Sequence, residues 1–167
     1  MSSRGVAILG STGSIGTTAL RVLARQRERF HVEALTAFSN AGLLAEQANE
    51  FRPSYVGLVR NGDGGAHPGW GAGDSCLIAA ATLASVDIVL NAVVGAAGLD
   101  ATLAALETGK RVALANKESL VMGGALVAAA ARRGGGQLVP VDSEHSAILQ
   151  CIAGRPVSEV RRLVLTA

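Results

Sequence analysis

Three short stretches of this 167-residue chain carry residue types and spacings that could do chemistry. The first, Gly10-Ser11-Thr12-Gly13-Ser14-Ile15-Gly16, spaces its glycines as GxxGxxG. Such a turn lets backbone approach a phosphate that a Cβ would hold off, and it aims amides at the anion where it opens a helix. The alternative is a tight strand-to-helix turn with no ligand; the strand and helix patterns on either side favour a nucleotide. The second, Asp142-Ser143-Glu144, sets two carboxylates two residues apart. If the chain stays extended there, they point to one side, roughly 6 to 7 Å apart, and can converge on one ion. All-oxygen ligation suits Mg²⁺ or Mn²⁺ rather than zinc. The other reading is that Asp142 or Ser143 caps a following helix and Glu144 favours its positive end. In the third, Asn116-Lys117-Glu118-Ser119, Lys117 is one of only two lysines beside thirteen arginines. A compact ammonium can bind a substrate phosphate or hydroxyl, or stand in solvent beside a helix cap.

Each stretch follows a short apolar, β-branched run and precedes a helical pattern, so elements of a βαβ alternation must position it. Strands are expected at Val6 to Leu9, Val32 to Ala37, Tyr55 to Val59, Ile88 to Val94, Val112 to Ala115, Leu138 to Val141 and Val160 to Leu165. Helices are expected over Ile15 to about Arg29, Asn40 to Phe51, Cys76 to Ala84, Asp100 to Thr108, Ser119 to Arg133 and Ser143 to Ile152. Asn40 can cap the second of these, and Gly109 can end the fourth. The glycine-rich segment 61–75 reads as a long mobile loop inside one domain. The result is an α/β class chain, a doubly wound parallel sheet of Rossmann-like type whose strands are buried on both faces. Ligands of such sheets bind at the carboxyl ends of the strands, where all three chemical stretches fall.

Composition excludes several classes. With 49% apolar and 17% charged residues the chain can bury a large core and is not disordered. A formal charge of +2 implies neither a nucleic-acid nor a membrane-surface partner. Cys76 and Cys151 form no CxxC pair, so no zinc framework or disulfide scaffold is expected, and a reduced, cytoplasmic compartment fits. The apolar run near the N-terminus leads straight into glycines without the pattern of a signal peptide. Asp87, Asn91 and two glycines interrupt the most apolar segment, Leu77 to Leu99, which reads as a buried helix and strand rather than a membrane span.

At the tip of the second strand, Ala37-Phe38-Ser39-Asn40 lacks the acid that holds the ribose hydroxyls of NAD. Ser39 and Asn40 offer small polar groups to a ribose phosphate, so NADP is expected over NAD. Both could equally serve only as a helix cap. His145 is expected to make a structural hydrogen bond, His31 and His67 carry no motif, and Arg25, Arg27 and Arg29 read as a solvated helix end.

GSTGSIG (10–16), NAVVGAAGL (91–99), LANKESLV (114–121) and PVDSEHSAI (140–148), in that order and spacing, resemble 1-deoxy-D-xylulose 5-phosphate reductoisomerases. The resemblance covers essentially the whole chain. It implies an NADPH-dependent oxidoreductase that also needs Mn²⁺ or Mg²⁺, and that rearranges and reduces 1-deoxy-D-xylulose 5-phosphate to 2-C-methyl-D-erythritol 4-phosphate in isoprenoid precursor synthesis. It places Thr12, Gly13, Ser14 and Ile15 on the cofactor phosphates, Asn116 and Glu118 on cofactor-binding positions, and Lys117 and Ser143 on substrate. Asp142 and Glu144 fall on metal-ligand positions. Phe38 and Ser39 depart from the Gly and Lys that some members carry at the second-strand tip. Members of the family continue past a segment like RLVLTA into a catalytic and a helical domain, and are expected to be homodimers. Residues 1–141 therefore read as the NADPH-binding domain and 142–167 as the truncated start of the catalytic one, a piece expected to bind cofactor without turnover. Two rivals are another NADP-dependent reductase, such as one acting on a semialdehyde, against which the lack of a suitably placed cysteine counts, and a non-catalytic NADP-binding or sensing module. Metal binding separates the family reading from the sensor.

Overall fold

The computed structural model describes residues 3–60 and 67–164. Its elements alternate as β1 (Arg4–Leu9), α1 (Ser14–Ala24), β2 (Phe30–Ala37), α2 (Ala41–Phe51), β3 (Tyr55–Leu58), β4 (Gly71–Ala72), α3 (Ser75–Thr82), β5 (Ile88–Asn91), α4 (Gly98–Glu107), β6 (Arg111–Leu114), α5 (Lys117–Gly134), β7 (Gln137–Pro140) and α6 (Ser143–Ile152). The seven strands form one sheet in the order β4-β3-β2-β1-β5-β6-β7, and every pairing is parallel. The chain winds outward from β1 in one direction, then returns to β1's other side at β5. That reversal opens a crevice at the strands' carboxyl ends.

Alternation along the strands builds two cores. Ala7 and Leu9 face Val89, Val112 and the apolar sides of α3, α4 and α5. Val6 and Ile8 face the other way, with Leu35, Leu58, Leu20 of α1 and Leu44 of α2. Burying each such branched side chain stabilises the fold by about 1.5–3 kcal/mol. The β1–β2 ladder passes from Val6↔Val32 to Ala7↔Ala34, so Glu33 bulges out of register. There it accepts hydrogen bonds from Ser54 at 2.6 Å and Ser85 at 2.9 Å, and pairs with His31 at 2.8 Å.

Four expectations need correction. The first helix ends at Ala24, and the chain beyond it turns through Arg25 to Arg29 to meet β2. Arg27 there pairs with Glu50 and lies over the Phe51 ring rather than decorating a helix end. The strand β5 stops at Asn91, three residues before Val94, because the Asn91 side chain is drawn into the loop that follows. Of the expected mobile loop, residues 61–66 lie outside the described residues. The remainder is not all loop: His67 stacks on Trp70 at 4.3 Å, and β4 extends the sheet beside β3. Finally, residues 160–164 form no strand: a 3-10 turn over Val157–Glu159 leads into exposed chain with no strand beside it.

Candidate functional site

The carboxyl ends of β1, β2, β3 and β5 surround a cavity of about 360 Å³. Its first wall is the turn carrying Gly10, Thr12 and Gly13. The three glycines of that turn do different work. Gly10 sits at φ +85°, and a Cβ there would lie 2.8 Å from the Ala92 carbonyl oxygen. A Cβ on Gly16 would lie 2.4–2.7 Å from backbone atoms of Gly10 and Ser11, so both residues hold the turn against its surroundings. At Gly13 the nearest atom would be the Gly10 oxygen at 3.4 Å, which leaves open space toward the cavity. Gly13 is also the N-cap of α1, and no side chain caps that terminus. The first-turn amides of Ser14 and Ile15 therefore point where an anion would be bound by the helix end. Ser11 anchors the turn from behind: its hydroxyl donates to Gln47 Oε1 at 2.7 Å, and Gln47 Nε2 donates back to the Ser11 carbonyl at 3.0 Å. Sequence reasoning missed Gln47, a polar residue inside a helix whose partner lies thirty-six positions away.

The second wall is the tip of β2 with Phe38, and Val59 beyond β3. Among the described residues no acidic side chain lines the cavity. Asn40 is the cap of α2, its Oδ1 accepting from Leu43 N at 3.1 Å, so the capping alternative is realised there. Ser39 remains exposed beside it.

The third wall, Ala92 to Ala97, is held by two buried asparagines. Asn91 donates to the Gly98 carbonyl and to Thr102 Oγ1, both at 2.8 Å, and accepts from Val93 N. Asn116 donates to the carbonyls of Val93 at 2.7 Å and Gly95 at 2.8 Å while its Oδ1 accepts from Ser119 N to cap α5. Its side chain is thus fully engaged in shaping the loop. Asn91 opens the NAVVGAAGL stretch, but its role was not read from it, since the contacts of a buried asparagine at a strand end are visible only once its partners are in place. Glu118 stands half-buried in the first turn of α5, where its charge favours the helix N-terminus.

Farther along the same edge, β6 and β7 end in a hollow of about 200 Å³ with Lys117, Asp142 and His145 at its rim. Of the two courses open to 142–144, the helix cap is adopted, and the expected helix begins at Ser143. Asp142 caps α6, accepting from Glu144 N at 3.2 Å, and Glu144 lies in the first turn of the helix. Lys117 Nζ stands 3.8 Å from Asp142 Oδ2 and His145 Nδ1 3.1 Å from Oδ1, while Ser143 donates to Glu144 Oε2 at 2.8 Å. The Asp142 carboxyl is held below its usual range, first by the hydrogen bond with the Glu144 side chain, then by the His145 amide and the charges of His145 and Lys117. Asp142 and Glu144 offer hard oxygen donors of the kind Mg²⁺ and Mn²⁺ take. Among the described residues no group of three or more His, Cys, Asp or Glu side chains is placed to hold one metal ion. Both cysteines are free, Cys76 buried and Cys151 exposed. Among the described residues no helix is long and apolar enough to cross a membrane.

Comparison with known proteins agrees with this fold. The family model for 1-deoxy-D-xylulose 5-phosphate reductoisomerase matches residues 6–124, and that for the C-terminal domain of the same enzyme matches 138–167. The reductoisomerase of Leifsonia xyli subsp. xyli is 52% identical over 167 residues, covering 100% of this chain and 42% of its own length. That of Rhodococcus jostii is 51% identical over 165 residues, covering 97% and 41%. Among solved structures, DOX-P reductoisomerase in complex with magnesium superposes with a TM-score of 0.85 at 42% identity, over 92% of this chain and 40% of the other. The Zymomonas mobilis enzyme in complex with NADPH gives 0.82 at 40% identity, over 92% and 42%. The chain spans less than half the length of these relatives. From its first strand to its last helix, its sequence and its doubly wound sheet place it in one group: the chain belongs to the 1-deoxy-D-xylulose 5-phosphate reductoisomerase family.

Proposed function

We propose that residues 1–141 are the NADPH-binding domain of a 1-deoxy-D-xylulose 5-phosphate reductoisomerase acting in the cytoplasm, and that 142–167 begin the part that holds metal and substrate. The observation that carries this reading is the open space over Gly13, beside an α1 terminus that no side chain caps, at the point where the sheet reverses direction. A pyrophosphate bound there accepts from the amides at the start of α1, with Thr12, Gly13, Ser14 and Ile15 against it. Asn116, through the loop it shapes, and Glu118 border the nicotinamide side. Asp142 and Glu144 hold Mg²⁺ or Mn²⁺, while Lys117 and Ser143 orient the substrate's phosphate and hydroxyl groups. When bound, NADPH supplies hydride and the divalent ion supplies Lewis acidity toward the substrate oxygens.

In this reading the whole protein converts 1-deoxy-D-xylulose 5-phosphate to 2-C-methyl-D-erythritol 4-phosphate, and the 167-residue chain by itself binds cofactor without turnover. Two carboxylates leave a hard ion's shell incomplete, and charge stabilisation needs an ion fixed in a closed site. Calorimetric titration of the chain with NADPH tests the first half. An NADPH-oxidation assay with 1-deoxy-D-xylulose 5-phosphate and Mn²⁺ tests the second: absence of NADPH binding, or steady turnover by this chain alone, overturns the corresponding half.

A further inference from the structure

The β2–β3 ladder continues past the end of β3. Val59 N donates to the Ala37 carbonyl at 3.0 Å, and Arg60 N donates to the Phe38 carbonyl at 2.6 Å. Backbone pairing thus carries Arg60 to the ligand edge of the sheet, directly beside the tip of β2. Its guanidinium carbon stands 5.0 Å from the centre of the Phe38 ring, and Phe38 is a lining residue of the main cavity. Phe38 is 54% exposed, so the stack lies open to the cavity mouth rather than inside the core.

In dinucleotide sites of this fold the tip of the second strand meets the adenosine ribose. A carboxylate there accepts from the ribose hydroxyls, whereas a nearby arginine accommodates a 2′-phosphate. Among the described residues no acid lines this cavity. The side-chain oxygen of Asn40 is committed to Leu43 N, so the tip's own sequence offers a phosphate only neutral donors, the Ser39 hydroxyl and the Asn40 amide N–H groups. Neutral donors alone discriminate weakly between a ribose bearing a dianion and one without. We propose that Arg60 is the specificity-determining residue of the cavity, binding the 2′-phosphate of NADPH while the Phe38 ring holds its guanidinium in place. A planar guanidinium suits both tasks at once: its face rests on the ring while the N–H groups along its edge remain directed at phosphate oxygens. Restraining the side chain in advance lowers the entropy lost when the phosphate is gripped.

The assignment rests on the reading of the cavity as a dinucleotide site, and titration calorimetry separates the two. Wild type, Arg60→Ala, Arg60→Lys and Phe38→Ala are each titrated with NADPH and with NADH, with circular dichroism to confirm folding. Wild type is expected to prefer NADPH. Arg60→Ala is expected to weaken NADPH about 10- to 100-fold, the range for losing charge-assisted hydrogen bonds, and to leave NADH within about twofold. Arg60→Lys recovers part of the loss, and Phe38→Ala shows a smaller loss of the same selectivity. If wild type binds NADH as tightly as NADPH, or if Arg60→Ala weakens both cofactors alike or neither, the assignment of Arg60 is wrong and the cavity reading stands. If wild type binds neither cofactor, the cavity reading itself is wrong, and the assignment with it.

Discussion

The side-chain amide of Asn116 donates to the carbonyl oxygen of Val93 at 2.7 Å, joining the end of β6 to the loop that follows β5. With its second bond to Gly95, and with Asn91 holding Val93 N from the other side, the wall of the cavity is gripped from two strands. Asn116→Ala strips two loop carbonyls and the α5 cap of their partner, and is expected to cost about 2–4 kcal/mol of stability. Urea denaturation measures the loss. Hydrogen exchange should accelerate at Gly95 and Ala96 more than in the strands, and a variant with unchanged exchange there would show that the loop holds itself.

Gly13 and Gly16 separate ligand binding from folding. Gly13→Val adds atoms to open space beside the cavity, so the chain should fold with near wild-type melting behaviour and lose NADPH binding by at least about 100-fold, since the side chain stands where the backbone must approach a pyrophosphate. Gly16→Val drives a Cβ into the backbone of the turn and should fail to fold stably. Calorimetry on the first variant and thermal melting of both distinguish the two roles; NADPH binding retained by Gly13→Val would mean the ligand lies elsewhere.

The alternation of strands and helices was legible because parallel strands buried on both faces are apolar throughout, and caps such as Asn40 mark where helices begin. The position of the Asp142 stretch was legible too, but not its conformation. Extended ligand arm and helix cap use the same residues, and the amides of Glu144 and His145 decide for the cap. The roles of Gln47 and Arg60 escaped notice for a common reason: each acts through a partner brought near by the fold, not by sequence. Lys110 belongs with them. Its Nζ donates to the carbonyls of Leu83 and Val86, just beyond α3, from a buried position.

The two thiols should differ sharply in reactivity. Cys76 is buried under the sheet, and burial first, with Asp74 second, pushes its thiol up to about 11. Since the thiolate is the nucleophile, Cys76 is expected to resist a disulfide reagent at pH 8 while exposed Cys151 reacts at once. One equivalent should titrate in the folded chain and two in urea. A second fast equivalent without denaturant would show that α3 opens readily.

Acid stability should depend on the Glu33 bulge. Its carboxyl is held below the ordinary value of 4.5, chiefly by the Ser54 hydroxyl and further by Ser85 and His31, against the opposing effect of burial. A carboxyl depressed on folding contributes stability that is present above its unfolded value and lost as pH falls through the folded one. Glu33→Gln should therefore be less stable than wild type at neutral pH, and the gap between them should narrow as pH drops below about 4.5. Urea midpoints across that range measure it; a gap that is constant with pH would remove the carboxylate from the explanation.

The remaining prediction concerns Lys117 and Asp142, whose charged atoms lie 3.8 Å apart at the ends of β6 and β7. If Asp142 and Glu144 are the carboxylate ligands of Mn²⁺, the ion would draw on the same carboxylate that Lys117 faces. In the absence of substrate the ammonium and the ion therefore compete for Asp142. Lys117→Ala is expected to tighten Mn²⁺ binding about two- to fivefold, the modest range for releasing a solvent-exposed pair, because the lysine is 64% exposed and water screens it. Asp142→Asn tests the ligand without disturbing the fold, since asparagine caps a helix as well as aspartate does. Paramagnetic broadening in NMR spectra should centre on residues 142–144 in wild type, strengthen at a given Mn²⁺ concentration in Lys117→Ala, and fade in Asp142→Asn while the α6 signals keep their positions. Broadening that is unaffected by both substitutions would place the ion elsewhere. Broadening lost in Lys117→Ala would instead mean that the lysine holds Asp142 in place for the ion rather than contending with it.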